Sequence, residues 1–218
     1  ITGRFAYYYN QKYLMEFNCG YNGSENFAPG KRYGFFPAGS IGWVISEEPF
    51  MKKASWIDFL KVRASYGLVG SDNVSSRFPY LAFYGGGSGY HFGNNFGTEV
   101  GGTSEGNLAN ENLTWEKARK LNVGIDFTTL NQRLALTVDA FYEYRFDIIT
   151  DMNGDGIMGY PDIVGKDAAL QNLGEVSNRG VDVELSWNDK IGKDFRYYIR
   201  PNLTFSRNRL EYKAEVAR

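Results

Sequence analysis

The segment Asp151-Met152-Asn153-Gly154-Asp155-Gly156 puts oxygen-bearing side chains at the first, third and fifth positions of a loop. A turn-making glycine follows at the sixth, and Asp162 falls at the twelfth. That spacing is the calcium-loop pattern, in which a hard divalent cation collects carboxylate and carbonyl oxygens. Asp151, Asn153, Asp155, Asp162 and the carbonyl of Ile157 therefore form a candidate Ca2+ set in loop 151–162, with a structural rather than catalytic role. Two features weaken it: Asp162 replaces the longer bidentate Glu, and Pro161 stiffens the approach. The alternative is an ordinary pair of Asn-Gly and Asp-Gly turns in a polar surface loop.

A second candidate lies in 78–102, where Tyr80, Phe83, Tyr84, Tyr90 and Phe92 surround Gly85-Gly86-Gly87. Flat aromatics spaced by glycines can stack on sugar rings or clamp an extended peptide. They can equally pack on neighbouring loops or on a partner that covers them. The triple glycine is not a phosphate loop, because no Lys-Ser/Thr follows it.

Catalytic constellations are not evident. His91 is the only histidine, so neither a histidine relay nor a multi-histidine metal site can be assembled. No Gly-x-Ser-x-Gly elbow with a partnered histidine appears. The acidic pair Glu47-Glu48 sits in a turn and reads as solvated. Cys19 is the single cysteine, which rules out an internal disulfide. A net charge of −1 leaves no footprint for nucleic acid.

The elements that must carry these loops are strands. Leu121, Val123, Ile125 and Phe127 alternate with Asn122, Gly124 and Asp126, and a tight turn follows at Leu130-Asn131-Gln132-Arg133. Leu134, Leu136, Val138, Ala140, Tyr142 and Tyr144 then alternate with Ala135, Thr137, Asp139, Phe141, Glu143 and Arg145, so one face of this hairpin is oily and the other largely polar. Similar alternation predicts about eight strands, near 2–9, 13–21, 34–45, 59–69, 121–127, 134–145, 181–187 and 197–205. Residues 46–56 read as a connection with a short helical turn. Long excursions cover 70–113 and 149–173, and the other connections are shorter.

Short turns alternating with long loops, and strands with one apolar face, are the marks of an antiparallel transmembrane β-barrel. Mean hydropathy of −0.41 argues against a helical membrane protein, but half of each barrel strand faces water. Tyr9, Trp43, Phe127, Trp187 and Tyr197 sit beside the short turns; Tyr66, Trp115, Tyr142 and Tyr144 lie towards the long loops. Two such bands flanking an apolar belt suit a membrane interface. A soluble β-sandwich with an aromatic core shares the alternation and stays open on pattern alone.

Several segments resemble the SusC/RagA family of TonB-dependent outer-membrane transporters. They are Gly39-Ser40-Ile41-Gly42-Trp43, Leu60-Lys61-Val62-Arg63-Ala64-Ser65-Tyr66-Gly67, Asn110-Glu111-Asn112-Leu113-Thr114-Trp115-Glu116-Lys117, and Asn172-Leu173-Gly174-Glu175-Val176-Ser177-Asn178-Arg179-Gly180. The resemblance implies an all-β fold, with the chain forming part of a plugged barrel of about 22 strands. The expectation is a fragment from the C-terminal part of that barrel, roughly a third of its wall, with the plug domain and targeting sequence absent.

By resemblance the function is nutrient import, of oligosaccharides or peptides, at the outer membrane of a Gram-negative, Bacteroidota-like cell. The implied partners are a SusD-like surface lipoprotein, outer-membrane lipid, and the TonB complex acting through the missing N-terminal part. The expectation is transport rather than catalysis. The alternative is a soluble secreted β-rich binding module stabilised by calcium, and a passive porin is a third reading.

Overall fold

The computed structural model describes residues 1–94, 96–106, 108–152, 166, 168–192 and 194–215. The strands are β1 (Thr2–Tyr9), β2 (Tyr13–Gly23), β3 (Tyr33–Val44), β4 (Ile57–Ser71), β5 (Tyr84–Phe92), β6 (Thr98–Glu105), β7 (Glu116–Thr129), β8 (Leu134–Thr150), β9 (Gln171–Ile191), β10 (Phe195–Ile199) and β11 (Asn202–Tyr212). The main antiparallel sheet runs β1-β2-β3-β4-β7-β8-β9-β10, with β11 also paired to β9; β5 and β6 form a separate hairpin.

Eleven strands replace the eight expected, for two physical reasons. The last expected strand is interrupted at Arg200-Pro201, because proline has no N–H to give the ladder. Its register does not change: Ile199 pairs with Trp187 and Asn202 with Glu184. Thus β10 and β11 act as one stave, and the wall has eight. The β5–β6 hairpin lies inside the excursion 70–113, where Gly85-Gly86-Gly87 and Gly101-Gly102 carry no side-chain alternation to read.

The tight turns bend where expected. Asn10 and Gln11 take φ of 49° and 57°, and the Lys12 amide donates to the Tyr9 carbonyl at 3.0 Å. Leu130, Asn131 and Gln132 are all left-handed, a strained geometry for non-glycine residues. Asp58 Oδ2 holds that turn by accepting from the Gln132 amide at 2.8 Å.

The register decides the two faces. One row crosses all eight staves as Tyr7, Met15, Ile41, Ala64, Val123, Ala140, Val181 and Phe205. The next row on that face reads Tyr9, Tyr13, Trp43, Val62, Ile125, Val138, Val183 and Leu203. Opposite-facing rows run Ala6, Glu16, Ser40, Ser65, Asn122, Phe141, Gly180, Ser206 and Tyr8, Leu14, Gly42, Arg63, Gly124, Asp139, Asp182, Thr204.

The apolar face is the open one. Ile41, Ile125 and Phe205 are 60%, 44% and 66% exposed, while Gly124 on the polar face is buried. A water-soluble sheet does the reverse, turning its apolar face inward. β4, β7, β8 and β9 run 15, 14, 17 and 21 residues. About 9–11 tilted residues suffice to cross a hydrocarbon core, so each of these strands is longer than such a crossing requires.

Ile125→Arg separates the two environments. In vesicles the substitution is expected to cost about 2–4 kcal/mol of unfolding free energy in a urea titration. An exposed isoleucine on a protein in water would lose only about 0.5 kcal/mol, and that result would refute a lipid-facing surface.

Candidate functional site

The long-loop end carries the main buried cluster. Phe27, Leu113 and Trp115 are buried there, with Phe36, Val74, Ile149 and Leu170 packed around them. Trp115 contacts Phe27 at 5.5 Å and Phe36 at 5.3 Å between ring centroids, and its indole N–H donates to the Arg32 carbonyl. Trp115 therefore anchors the loops and is not a member of the outer aromatic band, correcting that expectation. A buried indole needs a partner for its N–H, and the Arg32 carbonyl supplies one inside the cluster.

Asparagines strap the loops over this cluster. Asn172 Nδ2 donates to the carbonyls of Thr114 and Asp147 at 2.8 and 2.7 Å, while its Oδ1 accepts from the Thr114 amide at 2.9 Å. Asn110 Nδ2 donates to the Leu170 carbonyl at 2.7 Å, and Lys31 Nζ donates to Asn112 Oδ1 at the same distance. The segment Asn110–Lys117 thus braces the loops that carry Lys31 and Leu170 and is strapped to the ends of β8 and β9 through Asn172.

The five aromatic candidates divide. Tyr80 is half-buried, and its hydroxyl accepts from Arg32 Nη2 at 3.3 Å, which ties it to the loop base. Phe83, Tyr84, Tyr90 and Phe92 are exposed. Tyr90 and Phe92 share one face of β5 and meet edge-to-face at 5.0 Å, opposite Val100 and Thr98. Phe83 lines a cleft of about 210 Å3 with Ser75, Pro79, Leu108, Asp151 and Leu170. Lys166 pairs with Glu105 at the foot of the hairpin.

Of the calcium candidates, Asp151 is exposed just beyond β8 and lines that cleft. Asn153, Asp155, Ile157 and Asp162 lie outside the described residues.

The polar face holds an ion-pair ladder. Arg63 Nη2 reaches Asp139 Oδ2 at 2.6 Å and its Nε reaches Asp126 Oδ2 at 3.3 Å. Gly124 stands between them in register, and a Cβ there would lie 2.5 Å from Asp139 Oδ1 and 2.8 Å from Arg63 Cζ. The glycine makes room for the pair. Asp139 and Asp182 face each other across β8 and β9, each with a buried Oδ1 lacking a hydrogen-bond partner among the described residues.

The TonB dependent receptor-like, beta-barrel family matches residues 3–217. The chain belongs to that family. It is similar to TonB-dependent receptor SusC of Bacteroides thetaiotaomicron, 31% identical over 215 residues, covering 95% of this chain and 20% of the relative. TonB-dependent receptor P3 of Formosa agariphila is 30% identical over 210 residues, with 96% and 20% covered. The solved RagAB peptide importer superposes with a TM-score of 0.82 in its open-open state, at 23% identity, covering 97% of this chain and 22% of that one. Its closed-closed state gives 0.80. At that identity the structures establish the fold alone. The chain spans about a fifth of the length of the relatives it matches.

In this receptor wall the short-turn rim contains a residue that the sequence reading misplaced. Glu47 is exposed, but Glu48 is buried, at 9% exposure, and is not solvated. Its Oε1 accepts from the Tyr13 hydroxyl at 2.8 Å and the Trp43 indole N–H at 3.2 Å; its Oε2 accepts from Lys12 Nζ at 3.3 Å. Tyr9, Tyr13 and Trp43 stack in sequence at 6.4 and 6.5 Å, so one carboxylate ties β2, β3 and the β1–β2 turn beneath the aromatic band. The three donors come from separate elements, which is why local pattern did not reveal them.

The Tyr13 hydroxyl, followed by Trp43 and Lys12, holds the Glu48 carboxyl below the usual carboxylate range against the opposing effect of burial. A lowered native value stabilises the fold above the unfolded carboxylate value of about 4.3, and this is lost as pH falls through the native one. Glu48→Gln is therefore expected to lower the denaturation midpoint at pH 7, with the difference from wild type closing as pH falls below the ordinary carboxylate range. A gap independent of pH would refute the ionised hub.

Proposed function

We propose that the chain forms part of the wall of a SusC-like TonB-dependent outer-membrane importer. On this reading the whole protein takes up oligosaccharides or peptides, capped by a SusD-like surface lipoprotein and energised by the TonB complex through its N-terminal part. The exposed apolar face, continuous across eight staves, carries the reading. Relatives named TonB-dependent receptors, and a structural likeness to a peptide importer, support it.

The polar face would line the lumen, and the long loops would face the cell exterior. On the β5–β6 hairpin, Phe83, Tyr84, Tyr90 and Phe92 would meet the substrate, with Tyr80 bracing them from the loop base. Exposed aromatics on a glycine-rich hairpin can stack on a sugar ring or a peptide side chain without rearranging the wall.

Fractionation of native cells should place the protein in the outer membrane, in a detergent-soluble particle with a lipoprotein. Tyr90→Ala with Phe92→Ala is then expected to lower uptake about tenfold, the effect of losing roughly 1–2 kcal/mol of stacking, while the lipoprotein still co-purifies. Loss of the lipoprotein instead would reassign the hairpin to partner contact. A soluble, monodisperse protein in the first step would favour the calcium-stabilised binding module.

Calcium in loop 151–162 remains part of this proposal on donor spacing alone: Asp151, Asn153, Asp155, the Ile157 carbonyl and Asp162. Terbium luminescence of the purified receptor should saturate, compete with Ca2+, and fall at least about tenfold in affinity in Asp151→Ala. Unchanged titration in the variant would leave the loop an ordinary turn.

A further inference from the structure

Between β3 and β4 the chain leaves the sheet in two single 3-10 turns, Ile45–Glu47 and Met51–Lys53. Both ends of this excursion are pinned to the apolar face. Glu48 is bonded to Tyr13 and Trp43, and Trp56 packs edge-on against Phe127 at 6.1 Å. Tyr13, Trp43 and Phe127 all belong to the apolar side of the register, where Phe127 pairs with Leu60 and Leu136. The excursion therefore lies along the rim of the apolar belt and does not fold across the polar face.

What it displays there is amphipathic. Phe50 and Trp56 are 60% and 63% exposed, large areas for aromatic rings on a rim that has apolar surface beside it. Lys52 and Lys53 lie between them, exposed, with no ion pair or hydrogen bond among the described residues. Glu48 is already matched by Lys12, so Glu47 is the one acid in the excursion left to oppose two lysines. Aromatic rings with free ammonium groups beside them suit the headgroup layer, where rings sit at the acyl boundary and lysine stems reach outward to phosphate.

We infer that residues 49–56 are an interfacial anchor that binds anionic phospholipid headgroups in the leaflet at the short-turn side of the barrel. Lys52 and Lys53 take the phosphates, while Phe50 and Trp56 enter the acyl boundary. Continuity with the Tyr9, Tyr13, Trp43 band selects lipid over a soluble partner, and the unmatched lysines select an anionic headgroup. Short turns mark the periplasmic side of such barrels, which sets the leaflet. The assignment rests on the transporter reading, since it needs the belt to be in a bilayer.

The test uses the full receptor carrying this chain, purified in detergent and exposed to phosphatidylglycerol or phosphatidylcholine, with retained lipid counted by native mass spectrometry. Wild type should retain phosphatidylglycerol in preference to phosphatidylcholine. That preference should fall about tenfold in Lys52→Gln with Lys53→Gln, and fall in wild type at about 1 M salt. Phe50→Ser should weaken retention of both lipids. Heat-modifiable gel migration of each sample reports separately whether the barrel formed. A formed barrel with no anionic preference, or with one that the lysine variant leaves intact, overturns the anchor alone. A wild-type protein that never inserts overturns the transporter reading along with it.

Discussion

Each stave of this wall must satisfy two solvents at once, and the rest of the structure follows from that. Successive side chains of a strand point to opposite faces, so a strand between hydrocarbon and water can alternate only one way. A one-residue slip would put Arg63, Asp139 and Asp182 among lipid chains and Ile41, Val123 and Val181 in the lumen. The register is therefore heavily determined, and its two apolar rows cross eight staves without a charged residue.

That arrangement displaces the core. With one sheet face given to lipid and the other to charges, dry packing moves to the long-loop end, around Phe27, Leu113 and Trp115. There it holds the loops in place, with Asn110 and Asn172 satisfying backbone groups that the loops would otherwise leave unpaired. At the short-turn end Glu48 does comparable work with one carboxylate and three donors. Both ends of the wall are thus tied by polar groups whose partners are far apart in the chain.

The charged face shows a different constraint, that of space. Arg63 can bridge Asp126 and Asp139 because Gly124 has no side chain between them. Phe141 lies over Gly180 for a similar reason; a Cβ at Gly180 would come within 2.5 Å of its ring. Glycines that weaken a strand on propensity alone here admit the side chains of their neighbours.

Much of the wall was legible from the residues, because period-two alternation survives any tertiary context that keeps one face in oil. The turns at Asn10-Gln11 and Leu130-Gln132, the eight staves and the sidedness of Leu121–Tyr142 all follow from that local rule. The β5–β6 hairpin did not follow, since glycine carries no facing information, nor did the break at Pro201, which needs the partner strand to show that the register persists. The candidate aromatics were recognisable as a set, but only packing separated Tyr80, bound to Arg32, from the exposed Phe83, Tyr84, Tyr90 and Phe92. By itself the sequence determined which side of each strand is apolar, since that is a property of neighbouring residues. Tertiary structure alone decided that Trp115 is an anchor, that Glu48 is a buried hub, and that Trp56 packs on the rim of the apolar face. Each of those roles depends on groups brought together from distant strands, which no local period can encode.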